Sequence, residues 1–202
     1  MRWVWAIVKW AALAAALLFV VLVVALFALG SRKYTLEPDV VYGEVDGQKL
    51  LVDIYHPGDS ATRTRPALVL VHGGAWAAGS RHDFKDMAVE LAKEGYVVFS
   101  IEYRLVTEKT NRWPAQLDDS QRAVRWVRAH AAQYHLDPQH LGVIGGSAGG
   151  HLVACLGTMD THDNSDPELA AYSSRAQVVV DMNGPTNLED SFAREILSLI
   201  HI

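Results

Sequence analysis

Two glycine-rich turns, each entered from a short apolar run, constrain this chain more than any other feature. The run Ala67-Leu68-Val69-Leu70-Val71 opens into His72-Gly73-Gly74-Ala75-Trp76. The run Leu141-Gly142-Val143-Ile144 opens into Gly145-Gly146-Ser147-Ala148-Gly149-Gly150. Apolar runs without alternation read as strands covered on both faces. The second turn has the pattern G-x-S-x-G. A strand–turn–helix of that composition lifts a serine hydroxyl above the end of a sheet, and it is too crowded for Cβ atoms on either side of the serine. Ala148 to Leu156 can continue as a helix. Ser147 is therefore expected at a helix N-terminus, where free N–H groups favour developing negative charge.

A serine so placed suits nucleophilic acyl transfer. The backbone N–H of Ala148 is one natural oxyanion donor, and the N–H groups of Gly73 and Gly74 can supply two more. Each donor of this kind is worth about 2.7–4 kcal/mol in the transition state. His72 is expected to brace the loop by hydrogen bonding. Trp76 either walls an acyl pocket or belongs to the core. Either turn alone would fit tight strand–helix packing equally well; both together, each after an apolar strand, favour chemistry. No Gly-Lys-Ser/Thr follows either cluster, which argues against a phosphate loop. The histidines show no zincin or paired His/Cys spacing, so neither a metal nor an organic cofactor is expected.

At these residues the chain resembles the α/β-hydrolase superfamily, and within it the esterase/lipase branch with an HGG oxyanion loop. That branch includes the hormone-sensitive-lipase-like and BD-FAE-type carboxylesterases. Further matching segments are Asp53-Ile54-Tyr55-His56-Pro57, Glu102-Tyr103-Arg104-Leu105, Trp113-Pro114-Ala115-Gln116-Leu117-Asp118-Asp119 and Leu136-Asp137-Pro138-Gln139-His140-Leu141-Gly142-Val143. The resemblance covers Val40 to Asn187. It implies Ser147 as nucleophile, Gly73, Gly74 and Ala148 as oxyanion-hole contributors, and a small-molecule ester as substrate.

The resemblance also implies a catalytic Asp and His later in the chain than the serine, after two further strands. Only one such strand is expected here, Gln177 to Met182, so neither role can be assigned by match. The last strands of the fold are expected to be missing, with Val178-Val179-Val180 as an apolar edge. His151, one helical turn after Ser147, is expected to point along the helix rather than across at the serine. His201 is the second-last residue. Asp181 reads as a loop-capping carboxylate, with the catalytic acid as its alternative. Two functions follow: a serine esterase, or a truncated or degenerate hydrolase that serves as a scaffold or binding module.

The N-terminus has a different character. Trp10 to Leu29 is a run of twenty uncharged, mostly aliphatic residues, long enough to cross a ~30 Å hydrocarbon core. It reads as a signal anchor over residues 1–30, with a cleaved secretory signal as the alternative. Residues 31–39 read as a linker and 40–202 as a partial α/β-hydrolase domain, placed outside the cytoplasm. Removing residues 1–30 removes two basic residues and no acids, leaving 16 Lys+Arg against 23 Asp+Glu, or −7. That balance argues against a nucleic-acid partner, which needs a basic surface. The single cysteine, Cys155, cannot form an internal disulfide and reads as a small buried apolar residue.

Punctuation supplies the remaining elements. Val40–Val45 and Leu50–Tyr55 are expected strands around the hairpin signal Asp46-Gly47. A helix over Arg81–Glu94 should stop at Gly95. Tyr96–Tyr103 should be a strand, and Pro114 should open a helix running to about Tyr134. Strands separated by helices imply a largely parallel sheet with helices on both faces.

Overall fold

The computed structural model describes residues 2–30, 33–59, 63–159 and 166–189. The chain divides into two compact units, Met1–Lys33 and Tyr34–Ile202. The first is a single helix, α1 (Arg2–Gly30). Its stretch Trp3–Val23 is 21 residues long, and none of it is buried. At 1.5 Å per residue it is long enough to span a bilayer core, as an anchor or as a signal sequence.

The second unit is a six-stranded sheet in the order β1-β2-β4-β3-β5-β6. The strands are β1 (Tyr34–Val45), β2 (Gln48–Pro57), β3 (Arg65–Val71), β4 (Val97–Ile101), β5 (Leu136–Gly146) and β6 (Val178–Met182). β1 and β2 form an antiparallel hairpin, and β2 pairs antiparallel with β4. β4, β3, β5 and β6 run parallel. The helices α2 (Lys85–Lys93), α3 (Ala115–Ala129) and α4 (Ala148–Thr158) are the crossovers between parallel strands. On one face Ala88 and Ala92 of α2 pack with Tyr55, Leu70, Val98 and Ile144. On the other, Leu117 and Val124 of α3 and Leu152 and Leu156 of α4 pack with Val69, Val71, Phe99 and Val143. Neighbours such as Val69 and Leu70 thus serve opposite cores, which is why these strands contain no polar alternation.

Local chemistry sets the turns. Asp46 and Gly47 both have positive φ, 51° and 79°, as a tight two-residue hairpin connection requires. Gly95 (φ 104°) closes α2: its N–H donates to the Ala92 carbonyl, and the Tyr96 N–H donates to that of Leu91. This is a Schellman stop. Gly95→Ala should cost about 1–2 kcal/mol, the penalty of a Cβ in the left-handed region. A thermal or urea unfolding curve measures it, and an unchanged midpoint would contradict it.

Several boundaries differ from expectation. β1 begins at Tyr34, not Val40, so most of the expected linker is paired with β2 from Tyr34↔Pro57 to Glu37↔Ile54. Pairing then breaks and resumes at Val40. Pro38 has no N–H to donate and Asp39 sits at φ 57°, so a bulge in one long strand had read as a linker. α2 starts at Lys85 rather than Arg81, because Asp83 folds back on Ser80 and Arg81 is held by carboxylates. α3 ends at Ala129, short of Tyr134. The rings of Trp126, His130 and Tyr134 gather there, and the chain turns into β5. Among the described residues no strand pairs with the outer edge of β6, where Val178 is 59% exposed.

Candidate active site

β5 delivers its chain into a turn at which Ser147 takes φ 53° and ψ −118°, directly before α4. That conformation costs a non-glycine residue on the order of 1–3 kcal/mol and persists only when its surroundings enforce it. Four glycine contacts enforce it. A Cβ on Gly145 would lie 2.2 Å from the Gly149 carbonyl oxygen, and one on Gly149 would lie 2.1 Å from that of Val71. A Cβ on Gly150 would lie 2.3 Å from Asp181 Oδ1, and one on Gly73 would lie 2.8 Å from the Gly146 oxygen. The elbow, the end of β3 and the turn after β6 are therefore packed backbone against backbone. The Ser147 N–H donates to the Met182 carbonyl at 2.9 Å. Ser147 itself is exposed, while Ala148, Gly149 and Gly150 behind it are buried.

The loop after β3 lies across this turn. The position of a Cβ on Gly73 is 3.4 Å from that of Ser147. Gly74 has φ 103°, and Ala75 and Trp76 are also left-handed at 51° and 59°. The N–H groups of Ala77 and Ala78 both donate to the Gly74 carbonyl, closing a tight loop. No acceptor among the described residues takes the N–H of Gly73 or Gly74. Ala148, as the first residue of α4, has no intrahelical acceptor either.

Motif residues frame this loop. His72 is buried, its Nδ1 is 2.7 Å from the Gly73 carbonyl oxygen, and its ring stacks on Tyr103 at 4.1 Å. The Tyr103 hydroxyl donates to the His72 and Gly73 carbonyls. Burial raises the Tyr103 phenol well above its ordinary range, so it stays a donor. Arg104 grips the buried Asp119 through Nε and Nη2, while its backbone N–H also donates to that carboxylate. The Gln116 amide donates to the carbonyls of Arg104 and Asn111. The segments around Tyr103 and Trp113–Asp119 are thus the hydrogen-bonded support of the loop.

His151 is buried against two indoles. Trp76 meets it edge-on at 5.4 Å and Trp113 covers it at 5.3 Å. Its Nε2 lies 3.8 Å from the half-buried Cys155 sulfur. Among the described residues no imidazole is hydrogen-bonded to Ser147 Oγ. Trp76 itself is buried, whereas Trp113 is 42% exposed; in the sequence Trp113 stands only at the head of a matching segment, with no expected role at the site. Asp181 Oδ1 accepts the Gly184 N–H at 2.7 Å and caps the loop after β6. His201 lies outside the described residues. No group of three or more His, Cys, Asp or Glu among the described residues could hold a metal.

Burial lowers both His72 and His151 below the ordinary imidazole value; the Gly73 carbonyl partly offsets this at His72, and Asp181 partly offsets it at His151. Both are neutral in the fold at pH 7. Protonation is easier in the unfolded chain, so stability should fall as pH drops below about 6.5 toward the folded-state values. His151→Gln should flatten the Tm-against-pH slope between pH 7 and 5, and an unaltered slope would refute the assignment.

A model of the BD-FAE family matches residues 52–196. The chain belongs to that family. BD-FAE membership accords with the sheet order and elbow, and the fold is that of the α/β-hydrolases. Esterase LipC of Mycobacterium tuberculosis is 36% identical over 166 residues, which is 81% of this chain and 40% of that protein. Esterase LipQ of the same organism is 36% identical over 157 residues, 76% of this chain and 36% of that one. Esterase 2 of Thermogutta terrifontis phosphorylated by paraoxon superposes with a TM-score of 0.68 at 31% identity, covering 80% of this chain and 60% of its own. The chain therefore spans 36–60% of the length of these relatives.

Proposed function

We propose that this unit carries the nucleophile of a serine carboxylic-ester hydrolase. The observation that carries the reading is Ser147, exposed at a strained turn where a Cβ added to Gly73 would come within 3.4 Å of its own Cβ. Ser147 Oγ attacks the ester carbonyl, and the N–H groups of Gly73, Gly74 and Ala148 receive the oxyanion. His72 and Tyr103 hold the loop in place, with Trp76 packed behind it. A base must take the Oγ proton and return it to the leaving alcohol; none of the described histidines is hydrogen-bonded to Ser147 Oγ. Structures of the Thermogutta esterase with propionate and with butyrate favour short acyl groups.

Organophosphate labelling tests the assignment. The full chain in detergent should react with paraoxon at one site, identified as Ser147 by peptide mass, and Ser147→Ala should remove the adduct entirely. A chain that never labels would support the second reading, a catalytically silent scaffold. That reading is favoured by the missing hydrogen-bond partner of Ser147 Oγ among the described residues.

Of the expected division, the N-terminal segment 1–30 and the hydrolase domain are proposed, the domain beginning at Tyr34, where pairing with β2 starts, in place of a linker over 31–39. Retention of α1 as an anchor, with the domain outside the cytoplasm, is part of the same proposal. Carbonate extraction should leave the chain in the membrane pellet, and release into the supernatant would indicate a cleaved signal instead.

A further inference from the structure

Four of the six buried arginines among the described residues are matched to acids. Arg65 pairs with Asp59, Arg81 with Asp53, Asp39 and Glu102, Arg104 with Asp119, and Arg122 with Asp166. Arg128 departs from that pattern. It is 9% exposed, and its guanidinium donates only to neutral oxygens: the Ser173 carbonyl, the Arg175 carbonyl at 2.7 Å and Gln177 Oε1 at 3.1 Å. Arg175 beside it is exposed, and its guanidinium donates only to the Gly157 carbonyl, at 3.2 Å. No carboxylate among the described residues lies within ion-pair distance of either. In a chain of net charge −5, two arginines lining one groove with no ion-paired acid among the described residues stand against the overall balance.

These two side chains line one open groove of about 570 Å³, together with Gln139, Tyr172, Ser173 and Gln177. That volume lies in the range of small-molecule sites. The carboxylate of Asp137 next to it is already engaged by the Gln139 N–H and by His140 Nδ1. The last turn of α3 gives Arg128 part of its compensation through the helix dipole, but a partial charge leaves the second guanidinium unbalanced. Burial lowers Arg128 below the ordinary arginine value. The groove opens at the start of β5, on the order of 25 Å along the strand from Ser147.

We propose that this groove binds a small oxyanion, the carboxylate or phosphate group of a soluble ligand, held by Arg128 and Arg175 with Tyr172 beside it. The site is separate from the acyl-transfer site and does not rest on that assignment. Guanidinium–oxyanion bonds are charge-assisted, so loss of one fork should weaken binding about tenfold or more.

The probes are inorganic phosphate and acetate, titrated calorimetrically into the full chain in detergent at ionic strength fixed with chloride. Saturable one-to-one binding is expected, at least tenfold weaker in Arg175→Gln and unchanged in Arg63→Gln, an exposed arginine outside the groove. Arg175 is exposed, so its variants should fold; a thermal melt in buffer without either probe checks this. Response to phosphate alone identifies a phosphate ligand, and response to both includes carboxylates; either supports the site. Binding that does not saturate, or that is the same in Arg175→Gln, overturns it. So does binding that survives Arg175→Gln but is lost in Gly74→Ala, which would place the anion at the loop beside Ser147.

Discussion

Gly149→Ala should slow organophosphate labelling of Ser147 by more than about 100-fold, although the new side chain is a single methyl. A Cβ at this position would stand 2.1 Å from the Val71 carbonyl oxygen and 2.5 Å from that of His72. Both atoms are main chain at the end of a fully buried strand, so no rotamer can relieve the clash. Either α4 moves away from β3 or the His72–Gly74 loop moves away from Ser147. Both open the space between the hydroxyl and the proposed donors, and a displacement of about 1 Å at such a site costs on the order of 10² in rate. The overpacking should also cost about 1–3 kcal/mol of stability. Gly142→Ala is the control. Its Cβ would meet Leu68 Cδ2 at 2.9 Å, the flexible end of a side chain that can turn aside. Labelling of Gly149→Ala at the wild-type rate would mean that the elbow does not set the position of Ser147.

The same contacts explain what could be read without coordinates. Tight turns announce themselves because their geometry excludes most residue types. Asp46-Gly47, Gly95 and the cluster around Ser147 each occupy backbone conformations or contacts that side chains disfavour. The buried strands were legible for a similar reason: Val69, Leu70 and Val71 have no solvent-facing side, so none is polar. What escaped is the polar scaffold. Arg122, Arg125 and Arg128 recur every three residues on α3, a spacing that reads as a solvated charged face. In the fold they are buried, and they hold the segment that returns to β6: Arg122 through Asp166, Arg125 through the Leu169 carbonyl, Arg128 through those of Ser173 and Arg175. Nothing local distinguishes an arginine that meets water from one that meets carbonyl groups 44 or more residues away. The bulge at Pro38-Asp39 escaped likewise, since a proline and an acid mark a strand interruption and a linker equally well.

Arg81 is the clearest member of this hidden scaffold, and Arg81→Met should cost about 3–5 kcal/mol. Its Nε donates to Asp53 at 2.9 Å, its Nη1 to Glu102 at 2.7 Å and its Nη2 to Asp39. One guanidinium thereby joins the bulge of β1, the middle of β2 and the end of β4 to the turn that leads into α2. Its own carbonyl accepts the Ser100 hydroxyl at 2.6 Å. Asp39 and Glu102 keep access to water and would lose little. Asp53 would not: its side chain is 3% exposed, so removing Arg81 leaves a carboxylate buried with the Asp39 N–H and the imidazole of His82 as its remaining partners. Most of the cost belongs to that stranded charge and not to the lost attraction. Asp53→Asn on its own should destabilise, because it breaks the fork. Combined with Arg81→Met it should restore part of the loss, since the double variant has no buried unpaired charge. Unfolding midpoints of the four chains decide the matter. Strictly additive losses, or a cost below about 1 kcal/mol for Arg81→Met, would show that water reaches Asp53 and that the guanidinium is not the pin holding these strands to α2.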